Sequence, residues 1–269
     1  FLIYKNGSSI TAGVFRTRAL EYYQTHQSIQ FSINPPEGEF FRDPANQLHV
    51  TLLQNEQWTT ALNGLKPQYN NGARLEYRYD AESRFEGGNE FLFFDTKNIQ
   101  ITTANVSYVE LNRLYETYLT PDFFRRGYPY SFIQDLNGDF RIRTLQGSEN
   151  GAAEADYSWV HFSLSTPMLL KDQEIYVYGK FNNYQLNEVN KMYFNPSLEI
   201  YEGVILLKQG IYNYKFVAKT PSSVLLNAVC GTHALTENRY LILVYYRYFG
   251  DQHDSLIGFG KTSSFEIMD

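Results

Sequence analysis

The run Tyr240-Leu-Ile-Leu-Val-Tyr-Tyr246 (YLILVYY) is apolar at every position, and so is Ile175-Tyr-Val-Tyr178, which follows Glu174 (EIYVY). Apolar runs this short, built from β-branched and aromatic residues, read as strands covered on both faces. Around them the chain alternates with period two. Ser28–Ile33 places Ile29, Phe31 and Ile33 on one face, Leu48–Leu53 places Leu48, Val50 and Leu52, and Arg74–Tyr79 places Leu75, Tyr77 and Tyr79. Val106–Thr120 (VSYVELNRLYETYLT) has mixed spacings, and its β-branched and aromatic content favours strand. Turn residues punctuate these runs: Asn34-Pro35-Pro36, Asn70-Asn71-Gly72, Gly87-Gly88-Asn89, Asn137-Gly138 and Lys208-Gln209-Gly210. Many short strands between turn signals predict an all-β protein of β-sandwich domains.

The chain has 269 residues, enough for one large or two ordinary domains. Its net charge is −6, which speaks against a nucleic-acid binder that works through basic patches. Aromatic residues make up 17% of it, with Tyr 23, Phe 20 and Trp 2, against only three Met, so rings build its interior. The single cysteine, Cys230, excludes an intrachain disulfide and a Cys-based zinc site. No apolar run approaches the roughly 18 residues a membrane-spanning helix needs. The chain starts at Phe1 with no basic-then-apolar leader, and reads as a mature form or a fragment. Gln146–Ala155 (QGSENGAAEA) is small, polar and free of rings. It can be a linker or a long inter-strand loop, and is read as the boundary between two all-β domains, 1–148 and 152–269.

Candidate chemistry is sparse. The histidines, His26, His49, His161, His233 and His253, form no H-x-H, H-x-x-H or H-E-x-x-H pattern. His49 and His161 fall within strand patterns and read as solvated or hydrogen-bonded strand residues. Cys230 stands three residues before His233, as a nucleophile pair could, but no third orienting group is visible and Cys230 reads as a buried small hydrophobe before the apolar strand. Asp135-Leu-Asn137-Gly138-Asp139 resembles a calcium loop, yet it lacks Gly at the sixth position and Glu at the twelfth. Asn137-Gly138 between Phe132-Ile133 and Phe140-Arg-Ile142 predicts a hairpin turn with both central residues at positive φ. Glu86, Glu90 and Asp95 flank Gly87-Gly88-Asn89. A hydrolase would need two such carboxylates about 5–9 Å apart. The double glycine predicts a bulge or a close backbone approach.

One segment concentrates rings and cations: Pro121-Asp-Phe-Phe-Arg-Arg-Gly-Tyr-Pro-Tyr130. Its prolines and glycine make it a loop. Phe123, Phe124, Arg125, Arg126, Tyr128 and Tyr130 are the residue types enriched where proteins dock, and form the candidate partner-binding site. The same loop could instead fold back and bury its rings on its own sandwich.

Two resemblances follow from longer patterns. Gly179-Lys-Phe181-Asn182-Asn183-Tyr184, then Met192-Tyr-Phe194, Tyr201-Glu202 and Gly210-Ile-Tyr212-Asn-Tyr214-Lys-Phe216, resemble the early-set immunoglobulin-like glycogen-binding modules. That resemblance implies an immunoglobulin-like sandwich and, as an alternative function, glycan binding. Those modules grip sugar with exposed Trp, whereas Tyr184 stands at the usual Trp position and Trp159 is the only Trp of this half. A wider resemblance runs along most of the chain. Its motifs are Leu53-Gln-Asn-Glu-Gln-Trp58, Leu65-Lys-Pro67, Phe85-Glu-Gly-Gly-Asn-Glu-Phe91 with Phe94-Asp95, and Asp135-Leu-Asn-Gly138. They continue with Ala155-Asp-Tyr157 and Val160, Leu207-Lys-Gln-Gly210, Thr236-Glu-Asn238, Leu243-Val-Tyr-Tyr246 and Asp254-Ser-Leu-Ile-Gly258. Together they resemble the type IX secretion system plug protein family of Bacteroidota.

The second resemblance implies a non-enzymatic periplasmic protein with no cofactor and no metal. Its implied partner is the large outer-membrane β-barrel translocon through which folded cargo leaves, which it would occlude when cargo is absent. It implies no nucleic acid, no direct membrane insertion and no small-molecule ligand. Members of that family usually carry a signal peptide and a further N-terminal β-domain of about a hundred residues, which implies that this chain is part of a longer protein.

Overall fold

The computed structural model describes residues 4–72, 74–145, 151–166 and 172–268. The chain is all-β and forms two β-sandwich units. Unit 1 comprises Phe1–Gly88 and Thr232–Asp269, and unit 2 is Asn89–Gly231. Unit 1 starts with β1 (Tyr4–Arg16), β2 (His26–Asn34), β3 (Leu48–Gln54), β4 (Leu62–Asn63), β5 (Tyr69–Asn70), β6 (Leu75–Tyr77) and β7 (Arg84–Glu86). Unit 2 follows with β8 (Leu92–Asp95), β9 (Val106–Leu111), β10 (Tyr115–Leu119), β11 (Asp122–Phe123), β12 (Phe140–Ile142), β13 (Tyr157–Ser165) and β14 (Glu174–Tyr178). It is completed by β15 (Lys191–Asn195), β16 (Ile200–Lys208), β17 (Gly210–Lys219) and β18 (Val224–Leu225). The chain then returns to unit 1 with β19 (Arg239–Tyr246) and β20 (Ser255–Ser263). Helix among the described residues is limited to single turns such as Pro44–Gln47 and Gly151–Glu154.

The tandem arrangement expected from the sequence, 1–148 then 152–269, is therefore corrected: one sandwich is inserted into the other. The physical reason is strand pairing. The order in unit 1 is β4-β3-β19-β20-β1-β2-β6-β5, with β7 beside β2. β19 lies antiparallel to β3, with Tyr240 opposite Gln54 and Tyr246 opposite Leu48, and β20 fills the place between β19 and β1. The C-terminal strands thus complete the first sheet. The stretch 146–155 is an inter-strand connection within unit 2; its residues 146–150 lie outside the described residues. Gly151–Glu154 forms a helical turn closed by the Ala155 amide on the Gly151 carbonyl.

The patterns that predicted strands also set the cores. β1 changes partner along its length, pairing with β20 near Tyr4 and Ser8 and with β2 from Ser9 to Arg16. The sheet thereby curls over a core of Ile29, Phe31, Ile33, Leu48, Val50, Leu52, Tyr240, Ile242, Val244 and Tyr246. Leu243 points the other way and is buried with Leu53 and Leu256, so YLILVYY is covered on both faces. In unit 2 the order is β12-β17-β14-β15-β16-β13-β10-β9, with β8 and β18 on β17 and β11 on β13. Val106–Thr120 forms the β9–β10 hairpin. Phe94, Phe162, Tyr212, Tyr214 and Phe216 lead the core, and Phe94 stacks on Tyr212 with ring centres 5.1 Å apart.

Candidate functional site

The loop 121–130 is fixed at its root before it turns outward. Asp122 and Phe123 pair in parallel with Leu164 and Ser165 of β13. The Phe124 amide donates to the Ser165 carbonyl at 3.2 Å, and the Arg125 and Arg126 amides both donate to the Val229 carbonyl at 3.0 Å. Phe124 packs against the unit 2 core. The Arg125 guanidinium donates to the backbone carbonyl of Glu90 at 2.8 Å, and the Tyr130 hydroxyl donates to Glu90 Oε1 at 2.5 Å. The rest of the loop faces outward. Phe123 is 58% and Tyr128 59% exposed, their rings meeting edge to face at 5.8 Å, and Arg126 is exposed beside them. Of the six residues singled out by sequence, Phe124, Arg125 and Tyr130 anchor the loop, and Phe123, Arg126 and Tyr128 form its free surface.

Asp122 sits under this surface. Its Oδ2 accepts the Tyr214 hydroxyl at 2.6 Å. Burial pushes the Asp122 carboxyl up to about 6, against the opposing pull of the Tyr214 hydrogen bond and the Arg125 charge. Burial, with Asp122 beside it, also raises the Tyr214 hydroxyl well above its ordinary value.

The motifs behind the wider resemblance fold into buried polar networks. In unit 1, Asn238 Nδ2 donates to the Gly87 carbonyl at 2.8 Å and to Gln27 Oε1 at 3.2 Å, while its Oδ1 accepts Asn55 Nδ2 at 2.7 Å. The Tyr240 hydroxyl donates to the same Gln27 oxygen. The Gly88 carbonyl accepts the Thr236 hydroxyl at 2.7 Å and the His233 amide at 2.8 Å. A Cβ at Gly87 would lie 2.0 Å from the His233 carbonyl oxygen, so the double glycine marks a close backbone approach, as its sequence implied.

In unit 2, Asp135 accepts the Phe91 and Asn137 amides on its two carboxylate oxygens, each at 2.6 Å. Asn137 and Gly138 adopt φ of 55° and 81°, the turn expected of them. The expected hairpin around that turn does not form. β12 pairs with β17 instead, because the Asn213 side chain accepts the Leu136 amide and the Asn213 amide donates to the Asp139 carbonyl. Asp139 is further held by Lys180 Nζ at 3.0 Å.

The other candidates resolve into structure. Tyr184 is buried with its ring 5.1 Å from Tyr178, and Phe181 packs edge-on to Tyr212 at 5.8 Å, so the Phe181–Tyr184 corner spends its rings on the fold. Asp95 is taken by Arg143 at 2.6 Å, and Cys230 is a buried free thiol. No cluster of His, Cys, Asp and Glu able to hold a metal ion occurs among the described residues.

A second surface is not singled out by the sequence motifs. Alternation along β13 buries Ser158, Val160, Phe162 and Leu164, and turns Tyr157, Trp159 and His161 outward. Strand register builds two rows on that outer face. One runs Tyr108–Tyr118–His161–Val204 and the next Glu110–Glu116–Trp159–Leu206. The signal was the β13 pattern itself, which carries rings on both faces where an ordinary sheet would be polar on one.

Among known proteins, the chain is similar to a hypothetical protein from Parabacteroides merdae ATCC 43184 of known crystal structure, with 29% identity and a TM-score of 0.89. The match covers 97% of this chain and 66% of that one, so this chain spans a little under two thirds of its relative's length. No protein-family model and no curated protein matches the sequence.

Proposed function

We propose that this chain is a non-enzymatic plug of the type IX protein secretion system. In this reading it sits in the periplasm, bound to the outer-membrane translocon barrel, and blocks leakage when no cargo is passing. The observation that carries the reading is the ordered succession of motifs shared with the plug family from Leu53 to Gly258. Geometry adds support. A plug needs rigid bodies and an attachment that can release. Each sandwich unit, at roughly 125–145 residues, is a globule on the order of 37 Å across, the scale of a folded cargo domain. The loop 121–130 combines an anchored base with projecting Phe123, Arg126 and Tyr128, the make-up of an interface hot spot on a stiff support.

The test is electrical. Translocon barrels purified from wild-type cells and from cells lacking this protein are inserted in planar bilayers. High ion conductance only in the deletion is expected; equal conductance in the two preparations overturns the reading. Phe123→Ser with Tyr128→Ser should leave the fold intact and reduce recovery of the barrel with the protein. Undiminished recovery removes the loop as the contact.

A further inference from the structure

We propose that the outer face of the β9–β10–β13–β16 sheet is a docking surface for an extended, lysine- or arginine-bearing segment of a protein partner. Phe123 of the loop 121–130 pairs with Ser165 on this same outer face of β13, but the two rows of this surface lie nearer Tyr157, and the inference stands whichever way the conductance experiment falls. The first observation is exposure. Tyr108 is 54%, Trp159 38%, Val204 42% and Leu206 38% exposed; strand register sets Trp159, Leu206 and Val204 together and Tyr108 at the far end of its row, beyond Tyr118 and His161. Exposed apolar residues gathered on one face mark a place of contact.

The second observation is charge. Glu110 and Glu116 lie directly opposite each other on β9 and β10. Like charges so placed destabilise a sheet. Glu110 accepts the Tyr108 hydroxyl at 3.2 Å and Asn112 Nδ2 at 2.7 Å, and Glu116 meets His161 Nε2 at 2.7 Å. Neither forms an ion pair with a lysine or arginine among the described residues. The field of the pair is felt nearby: the Tyr118 hydroxyl is raised by burial first, then by Glu110 and Glu116. A cation laid across this face would offset the repulsion and sit against the rings of Tyr108 and Trp159.

The two facing carboxylates, Glu110 and Glu116, select a cationic segment over a neutral sugar. Tyr118 presents one face to His161, 4.1 Å away and within 15° of parallel, and leans on Tyr108 at 5.6 Å. β9 is also the end strand of its sheet among the described residues, so an extended segment reaches the acidic pair from the side.

The experiment uses the full chain with Trp58→Phe, an exposed position in unit 1, so that fluorescence reports Trp159 alone. The probes are a decapeptide alternating lysine and valine, its glutamate counterpart, and maltoheptaose. Saturable change with the lysine peptide is expected, weakened about tenfold by Glu110→Gln with Glu116→Gln and suppressed by salt. Removing two repelling charges should not cost stability, and Tyr108→Ser provides a second variant that keeps both carboxylates and should also weaken binding. No saturation with the lysine peptide, equal binding by the double variant, or equal binding of the glutamate peptide overturns the proposal. Saturation by maltoheptaose alone overturns it in favour of a glycan face.

Discussion

Asp122→Asn should change how the stability of unit 2 responds to pH. In the folded chain the carboxyl titrates at about 6, against 3.8 for an ordinary aspartate, because burial disfavours its charged form. A raised folded value means that the folded state holds the proton more tightly. The stabilising effect of protonation is complete below pH 4 and is lost as pH rises through 6. The displacement corresponds to about 3 kcal/mol, at about 1.4 kcal/mol per pH unit. Asparagine has no proton to lose and still offers an oxygen to the Tyr214 hydroxyl, which sits at 2.6 Å in the native chain. Urea unfolding, read by Trp159 with Trp58 replaced by Phe, should be followed from pH 4 to pH 8 in both proteins. The stability of the variant minus that of its parent should rise by about 2.5 kcal/mol across that window, all other carboxylates cancelling in the difference. A difference that stays flat with pH refutes the assignment of a desolvated carboxylate at the root of the loop.

Asn238→Ala leaves the Gly87 carbonyl and the Asn55 side-chain amide without their partner inside unit 1. A loss of about 3 kcal/mol is expected from two buried polar groups, read by Trp58 during urea unfolding. Gly138→Ala puts a Cβ 2.8 Å from the Phe91 ring at a φ of 81°. It should destabilise unit 2 by about 2 kcal/mol or more, with a lower midpoint in the Trp159 transition; an unchanged midpoint would mean that the Asp135–Asp139 turn rearranges freely.

The strands were legible because each carries its own periodicity. Ile29, Phe31 and Ile33 could be assigned to one face without knowing what covered them, and YLILVYY announced two covered faces. The domain boundary was not legible, because it depends on which distant strand completes a sheet. Nothing local in Arg239–Tyr246 says that its partner is Leu48–Gln54 rather than a strand of the preceding segment. A ring-free stretch at 146–155 therefore looked like a linker although it only connects β12 to β13. The Asn137-Gly138 turn was readable from its own two residues, but the strand it leads to was chosen by Asn213, far along the chain. The loop 121–130 was found from composition. Its division into anchoring and projecting residues required Glu90 and Val229, which no spacing rule connects to it. The acidic-aromatic face needed the register of four strands before its rows existed at all.

The insertion of one sandwich into the other has a consequence for how the protein is made. A ribosome delivers β1–β7 before unit 2, yet β3 acquires its neighbour β19, and β1 its neighbour β20, only after all of unit 2 has emerged. At about 5–20 residues per second that interval lasts on the order of ten seconds or more. During it, two strand edges wait open, each a template for pairing with another chain. Unit 2 draws its strands from one uninterrupted stretch and can close meanwhile. A nascent chain of this design leaves the β1 and β3 edges open until β19 and β20 arrive, and truncation before Arg239 would convert a temporary exposure into a permanent one.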